Sequence, residues 1–426
     1  MKLKQYTKYK ESGIQWIGKI PEKWETNKIK HNILALEKSS LEASEGNEEG
    51  DYPFFTSSQI QDKFIDNFTF DKECLIMGTG GFASLHYING KFAVSTDCLV
   101  LKKQKQFNMK FLYYQILSNI SVIDDLGFWG MGLKHLQKDF FYNMLSYFPS
   151  EKEQSLIASF LDKKTSELNT LIEKDKKLIE LLKEKRIALI NHVVTKGLNR
   201  KAKMKDSGIH WIGKIPEGWE VRKFKHFAIK LTQGPNPDLE RTVDISNFKV
   251  LKTKDLYDYD IKYEEANCLT KEAFFECIDA KLKDNDVLIT IVGHGSIGKI
   301  NIFHKQKQEF IFTRAIALFR PEIKKIYPKY IKFYFESKLG KECLYNLIEG
   351  STGQEVIKTT RLGDLKIILP KKVTEQSSIA SFLDKATSKM DITIQKIEKK
   401  IELLEEYKKS LIHHVVTGKV DVRGEK

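Results

Sequence analysis

A chain of 426 residues, 41% apolar and 30% charged, is long enough for two or three domains with cores of their own. Its formal charge of +14 favours a polyanionic partner, nucleic acid before an anionic membrane surface, although lysine-rich helix faces alone would give the same surplus. Cys74, Cys98, Cys268, Cys277 and Cys343 form no CxxC pair, which gives a zinc or redox site little support and fits a reducing compartment. The N-terminus lacks the apolar core of a signal peptide, and no apolar run approaches the roughly 20 residues of a membrane span, so a cytoplasmic chain without a membrane partner is expected.

Taken in order, the chain repeats itself. Residues 10–24, KESGIQWIGKIPEKW, return at 205–219 as KDSGIHWIGKIPEGW, identical at twelve of fifteen positions. Gly and Pro set a bent path in this motif and the tryptophans supply contact area, which suits packing on a domain or long helix, or docking of another subunit. A divergent segment follows each copy, about 26–150 and 221–370. Each has strand-like runs broken by Gly and Asn. CLIMGTGGFASLHYING (74–90) and DVLITIVGHGSIGKINIF (286–303) read as a strand entering a glycine turn. KFAVSTDCLVLKK (91–103) and EFIFTRAIALFRP (309–321) read as the next strand. A helix is expected near 110–117 and 329–339, then a Gly-rich loop at 127–140 and 350–365, then Pro149 or Pro370.

The third shared element is a long helix. EQSLIASFLD (153–162) matches EQSSIASFLD (375–384) at nine of ten positions, and both helices run on to HVVT. Leu161, Leu168, Ile172, Ile179, Leu182, Leu189 and Val193 recur at spacings of four and three, a coiled-coil seam interrupted by Thr165, Asp175 and Arg186. Leu383, Met390, Ile394, Ile397, Ile401, Leu404, Leu411 and Val415 keep the same register. A lone helix cannot bury such a seam, so the two are expected to pair.

Chemistry-bearing motifs are weak. Gly293–Gly298 satisfies GxGxxG, but the residues after it alternate like a strand where a dinucleotide fold needs a helix. Gly13–Lys19, Gly208–Lys214 and Gly293–Lys299 imitate a P-loop, with Ile where a Mg²⁺-binding Ser or Thr belongs. His192, His413 and His414 lie near helix C-termini, where positive charge is favourable and capping outweighs catalysis. No catalytic residue and no metal ligand is assigned.

A frame repeated with two different heads suits a reader of two different half-sites. In its twin SGIxWIGKIPExW motifs, twin EQxxIASFLD helix starts and twin HVVT ends, the chain resembles the specificity subunit of a type I restriction–modification system over essentially its whole length. The resemblance implies an α+β fold. Two globular target recognition domains are joined by two long antiparallel helices as a coiled-coil spacer, in a pseudo-two-fold internal duplication. The expected domains are 1–150 and 204–370 for recognition, with 151–203 and 371–426 as spacer helices. It implies a non-catalytic DNA-recognition subunit that reads an asymmetric bipartite site in double-stranded DNA. It further implies partner modification subunits, two in number, that methylate adenine, and restriction subunits that translocate and cleave. No cofactor is then expected in this chain: S-adenosylmethionine, ATP and Mg²⁺ belong to the partners.

Base edges and phosphates are best met by polar and basic side chains on loops of a rigid module. The candidates in the first module are Thr79, Ser84, His86 and Lys91 around the first glycine turn, then Lys134, His135, Gln137 and Lys138. In the second they are His294, Ser296, Lys299 and Arg314, then Gln354, Lys358, Thr359 and Arg361. Thr56–Gln59 and Lys252–Lys254 are weaker candidates. The rival readings are a coiled-coil scaffold that binds proteins through its modules, and a nucleotide-dependent enzyme built on the glycine loops.

Overall fold

A computed structural model describes residues 4–210, 212–257, 260–293, 295–350 and 355–424. They form two compact units: one runs to Lys176 and resumes at Glu398, and the other is Lys177–Ile397. The division falls inside both long helices, Glu151–Lys196 and Val373–Val416. Each unit therefore contains a module and a segment of each helix.

In the first unit the two segments run antiparallel. Asp175 meets Lys400 at 2.8 Å, and Asn169 meets Lys408 at 3.0 Å. Ile157, Ala158 and Leu161 share a core with Leu411, Ile412, Val415 and Val416. In the second unit Arg186 meets Asp391 at 3.1 Å, and Ile190, Val193 and Val194 pack with Ile379, Ala380 and Leu383. The seam differs from its sequence reading in one respect. Thr165, Asp175 and Arg186 do not interrupt it but occupy it, in step with their apolar neighbours. Asp175 and Arg186 are buried. The low-dielectric seam tolerates them because each faces an opposite charge on the other helix. Arg186 also reaches the buried carboxylate of Glu336, at 3.4 Å.

The short repeats fold as hairpins, Tyr9–Glu11 with Lys19–Pro21 and Met204–Asp206 with Lys214–Pro216. The first P-loop look-alike, Gly13–Lys19, falls in the turn of the first hairpin, and Gly208 and Lys214 fall on either side of the turn of the second. Trp24 is buried and donates its indole N–H to Glu153, on the first long helix, at 3.3 Å. Trp219 does the same to Glu375, on the second, at 2.9 Å. The repeat thus packs on a long helix. Gly418 ends the second helix with φ +68°, and a Cβ there would collide with Pro21. The left-handed turn and the close approach of the hairpin both require glycine.

The modules share one strand order. In the first unit it is Ile33–Ala35, Cys98–Lys103, Phe70–Gly78, Leu85–Val94, Tyr52–Phe55, Lys63–Ile65. The Tyr52–Phe55 strand lies parallel to Leu85–Val94 and the other neighbours are antiparallel. In the second unit Ala228–Gln233, Ile316–Pro321, Val287–Thr290 and Ile300–Ile302 form one sheet. Glu309–Phe312, Phe248–Leu251, Asn267–Leu269 and Thr242–Val243 continue the order in a second sheet. One long strand of the first module is split here, and its second half pairs parallel with Phe248–Leu251. Residues 91–103 and 309–321 are not single strands. Each contains a tight turn, closed by Cys98 N–H to Ser95 O at 3.2 Å and by Ile316 N–H to Thr313 O at 3.0 Å. Those turns carry the chain to the other side of Phe70–Gly78 in the first module and of Val287–Thr290 in the second. The expected helices are present as Met109–Ser118 and Pro328–Glu336. No helix among the described residues is long and apolar enough to cross a membrane.

Two outcomes test the seam. Arg186→Ala leaves Glu336 and Asp391 without their shared cation and should cost about 3 kcal/mol of unfolding free energy in urea melts. An unchanged midpoint would show the pairing to be incidental. Burial pushes the Glu336 carboxyl up, against the pull of Lys332 and Arg186. A raised folded-state value means that this group's contribution is full below the ordinary carboxylate range and is lost as pH rises through the raised value. Glu336→Gln should therefore gain on the native protein as pH rises from about 4 to 7, whereas a pH-independent difference would contradict the assignment.

Candidate nucleic-acid interface

Beyond the sheets, each module carries a second small hairpin: Phe128–Trp129 with His135–Leu136, and Ile348–Glu349 with Val356–Ile357. Each leads into a short helix, Lys138–Asn143 or Thr359–Asp364. Backbone bonds tie the hairpin to the glycine turn of its module. In the first, Leu136 N–H donates to Thr79 O at 2.9 Å and Gly81 N–H to Lys134 O at 2.9 Å. In the second, Ile357 N–H donates to Ile291 O at 2.8 Å and Gly293 N–H to Glu355 O at 3.3 Å. Isolated bridges join Gly80 to His135 and Val292 to Val356. The same clasp is built twice from unrelated residues, because backbone groups make it.

A third loop joins the cluster in the first module. Ser57 Oγ donates to Asp97 O at 2.8 Å and accepts from Gly80 N–H at 3.4 Å. Gln59 donates to Ala83 O at 3.3 Å. The turn residues of 56–59, 79–86 and 128–138 therefore form one surface. Lys252–Lys254 follow the corresponding strand of the second module, in a turn capped by Asp255.

The structure sorts the predicted readers. Lys134, His135, Gln137 and Lys138 are exposed on the hairpin and at the start of its helix. Lys91 is exposed on its strand, its ammonium over the Phe68 ring at 4.6 Å. Thr79 is half-buried, and its hydroxyl donates to Asp97 O at 2.9 Å, a loop-fixing bond. Two assignments are corrected. Ser84 is buried, packed beneath Gly78, and cannot meet a ligand. His86 is bonded to Ser58 O at 2.9 Å and lies against Phe55, and burial lowers its pKa. A neutral imidazole held in this way braces the loop and does not offer a free charge.

In the second module Arg314 is exposed. Ser296 turns its hydroxyl back to Gly293 O at 3.1 Å, and Lys299 donates to Leu256 O at 3.2 Å. Both shape the turn, which corrects their reading as open contacts. Lys358 and Arg361 are drawn to one carboxylate, Glu349, at 2.7 Å each. Their hydrogen bonds hold its pKa down. Thr359 opens the helix beside them. His294 and Gln354 lie outside the described residues.

Gly298 is followed by the strand Ile300–Ile302, which pairs antiparallel with Val287–Thr290, so a strand stands where a dinucleotide fold needs a helix. Among the described residues no group of three or more His, Cys, Asp or Glu is placed to hold a metal. Near the end of the second long helix, burial, Lys419 and His414 lower the pKa of His413, and His414 Nδ1 lies 2.7 Å from Ser410 O. Sequence reasoning missed the apolar part of the surface. Ile60, Phe82, Trp129, Met131 and Leu133 are all well exposed on the three joined loops. Their signal was available as large apolar residues set among glycines, but residue type alone assigns them to a core.

Known proteins place this architecture. The family described as Type I restriction modification DNA specificity domain matches residues 21–181 and 216–403, and the chain belongs to that family. It is 26% identical to the type I restriction enzyme MjaVIII specificity subunit of Methanocaldococcus jannaschii, over 97% of each chain. It is 24% identical to the type I restriction enzyme EcoBI specificity subunit of Escherichia coli, over 63% of this chain and 56% of that protein. A chain in a solved structure of a type I R-M system shares the fold, with a TM-score of 0.68 at 13% identity, over 94% of this chain and 99% of that one.

The Glu349 cluster makes a direct test. Glu349→Gln releases Lys358 and Arg361, so DNA binding should tighten at low salt. The log–log salt dependence should steepen by about one to two, as for one or two further phosphate contacts. Weaker binding at unchanged slope would mean that the carboxylate itself meets the DNA.

Proposed function

We propose that this chain is the address subunit of a type I restriction–modification complex. Each module reads one half of an asymmetric bipartite site in duplex DNA. The chain supplies no bond-making chemistry. Modification subunits, two of them, bind S-adenosylmethionine and methylate adenine, and restriction subunits bring ATP- and Mg²⁺-dependent translocation and cleavage. The observation that carries the reading is the duplicated clasp in a chain of this family: one backbone frame, built twice, presents two unrelated sets of side chains. A frame held by backbone bonds lets the readers differ without loss of the fold. Lys91, Lys134, Lys138 and Arg314 suit phosphate oxygens. His135, Gln137, Thr359 and Arg361 suit base edges, where a bidentate contact discriminates best.

Methylated-adenine mapping in cells carrying this chain and its modification subunit, against cells lacking the chain, tests the reading. A new motif of two short blocks around an unread gap is expected. Unchanged methylation, with the modification subunit active beside another specificity chain, would overturn it. On the mapped site Arg361→Ala should cost about 1–3 kcal/mol and relax one base position. Equal loss on random DNA would make Arg361 a phosphate contact.

A further inference from the structure

The exposed apolar cluster of the first module is unaccounted for by phosphate or hydrogen-bond recognition. Met131, at the hairpin tip between Gly130 and Gly132, is fully exposed; Trp129 is 77% and Leu133 63% exposed. Phe82, on the loop bonded to this hairpin, is 66% exposed, and Ile60, which follows the loop bonded in turn to the Phe82 loop, is 70% exposed. Large side chains gathered on one set of loops mark a surface that a partner covers. The charge around them says which partner. Residues 79–91 and 127–138 contain Lys91, Lys134 and Lys138 and no Asp or Glu. Asp124, which accepts from Ala83 N–H at 2.6 Å, and the exposed Asp97 and Asp139 border these loops, and the three exposed lysines on the loops themselves favour a polyanion. The hairpin is a two-stranded ribbon, a form that the major groove of B-DNA admits. In that groove the one apolar group on any base edge is the thymine C5 methyl.

We propose that Met131, with Trp129 beside it, reads thymine methyl groups in the major groove of the first half-site. This rests on the address-subunit reading and adds the chemistry of one base. The lysines on the same loops hold the phosphates on either side, and the clasp to Thr79 and Gly81 holds the tip rigid. Sequence is then read partly through methyl burial, which a hydrogen-bond inventory of the loops would miss.

The experiment uses the full chain with its modification subunit, and duplex oligonucleotides carrying the mapped site. Thymine is replaced by deoxyuracil, one position at a time, in the first block. This removes only the methyl. Wild type should lose about threefold to tenfold in affinity at one or two positions, the size expected for a buried methyl. Met131→Ala or Trp129→Ala should weaken binding to the thymine duplex by the same factor and no longer distinguish deoxyuracil. Both side chains are exposed, so neither change should unfold the protein. The proposal is overturned if wild type tolerates deoxyuracil throughout the first block, or if the variants keep the wild-type ratio. It is equally overturned if the block has no thymine on either strand, or if the variants lose the modification subunit in the absence of DNA. Wild type that binds cognate and random duplexes alike would instead sink the address-subunit reading and this proposal with it.

Discussion

Everything in this protein depends on the antiparallel pairing of its two long helices within each unit. Neither helix can bury its seam alone, and in each unit residues of both helices share a core with residues of the module. In the first unit the core that holds Tyr6 and Trp24 is closed by Ile157 and Leu161 from one helix and by Leu411 and Val415 from the other. Lys4 and Asp421, near opposite ends of the chain, are joined there by a backbone bond of 2.8 Å. The polar residues of the seam fix its register. Arg186 with Asp391 and Lys408 with Asn169 are the same pair of positions in the two copies, one an ion pair on a buried arginine, the other an exposed lysine–amide bond. An out-of-register pairing would leave the buried Arg186 and Asp175 unmatched, at a cost of several kcal/mol.

Upon that frame the modules diverge without losing their topology. Their shared strand order and their clasps are specified by backbone hydrogen bonds and by apolar pattern, which many sequences satisfy. Side chains at the turns are then free to change. The first module offers Lys91, Lys134 and Lys138 beside exposed apolar groups. The second offers Arg314 and a pair of cations restrained by Glu349. Two such different surfaces on one frame are what separate readers of two half-sites require.

The frame was legible in the sequence because it is written twice. The repeats, the two helices and their seam followed from identity and from the four–three spacing; the expected spacer spans, 151–203 and 371–426, run past the helix ends at Lys196 and Val416. Thr165, Asp175 and Arg186 were misjudged because periodicity scores residue type, while the seam accepts any side chain whose partner across the helix pair suits it. The strands at 91–103 and 309–321 ran together because Ser95–Asp97 and Thr313–Ala315 carry neither Gly nor Pro to mark a turn. The residues proposed as readers on the hairpin were chosen from charge and position. Ser84 and His86 were misplaced because burial beneath Gly78 and against Phe55 is a tertiary fact. The apolar tip was passed over for the opposite reason: Trp, Met and Leu are ordinarily read as core.

The central claim is that each module addresses its own half-site from a common frame. Exchange of residues 26–150 for the corresponding module of another family member, followed by methylated-adenine mapping, tests it most directly. The account predicts that one block of the recognition motif changes while the other block stays as it was. A change in both blocks, or in neither, would contradict it.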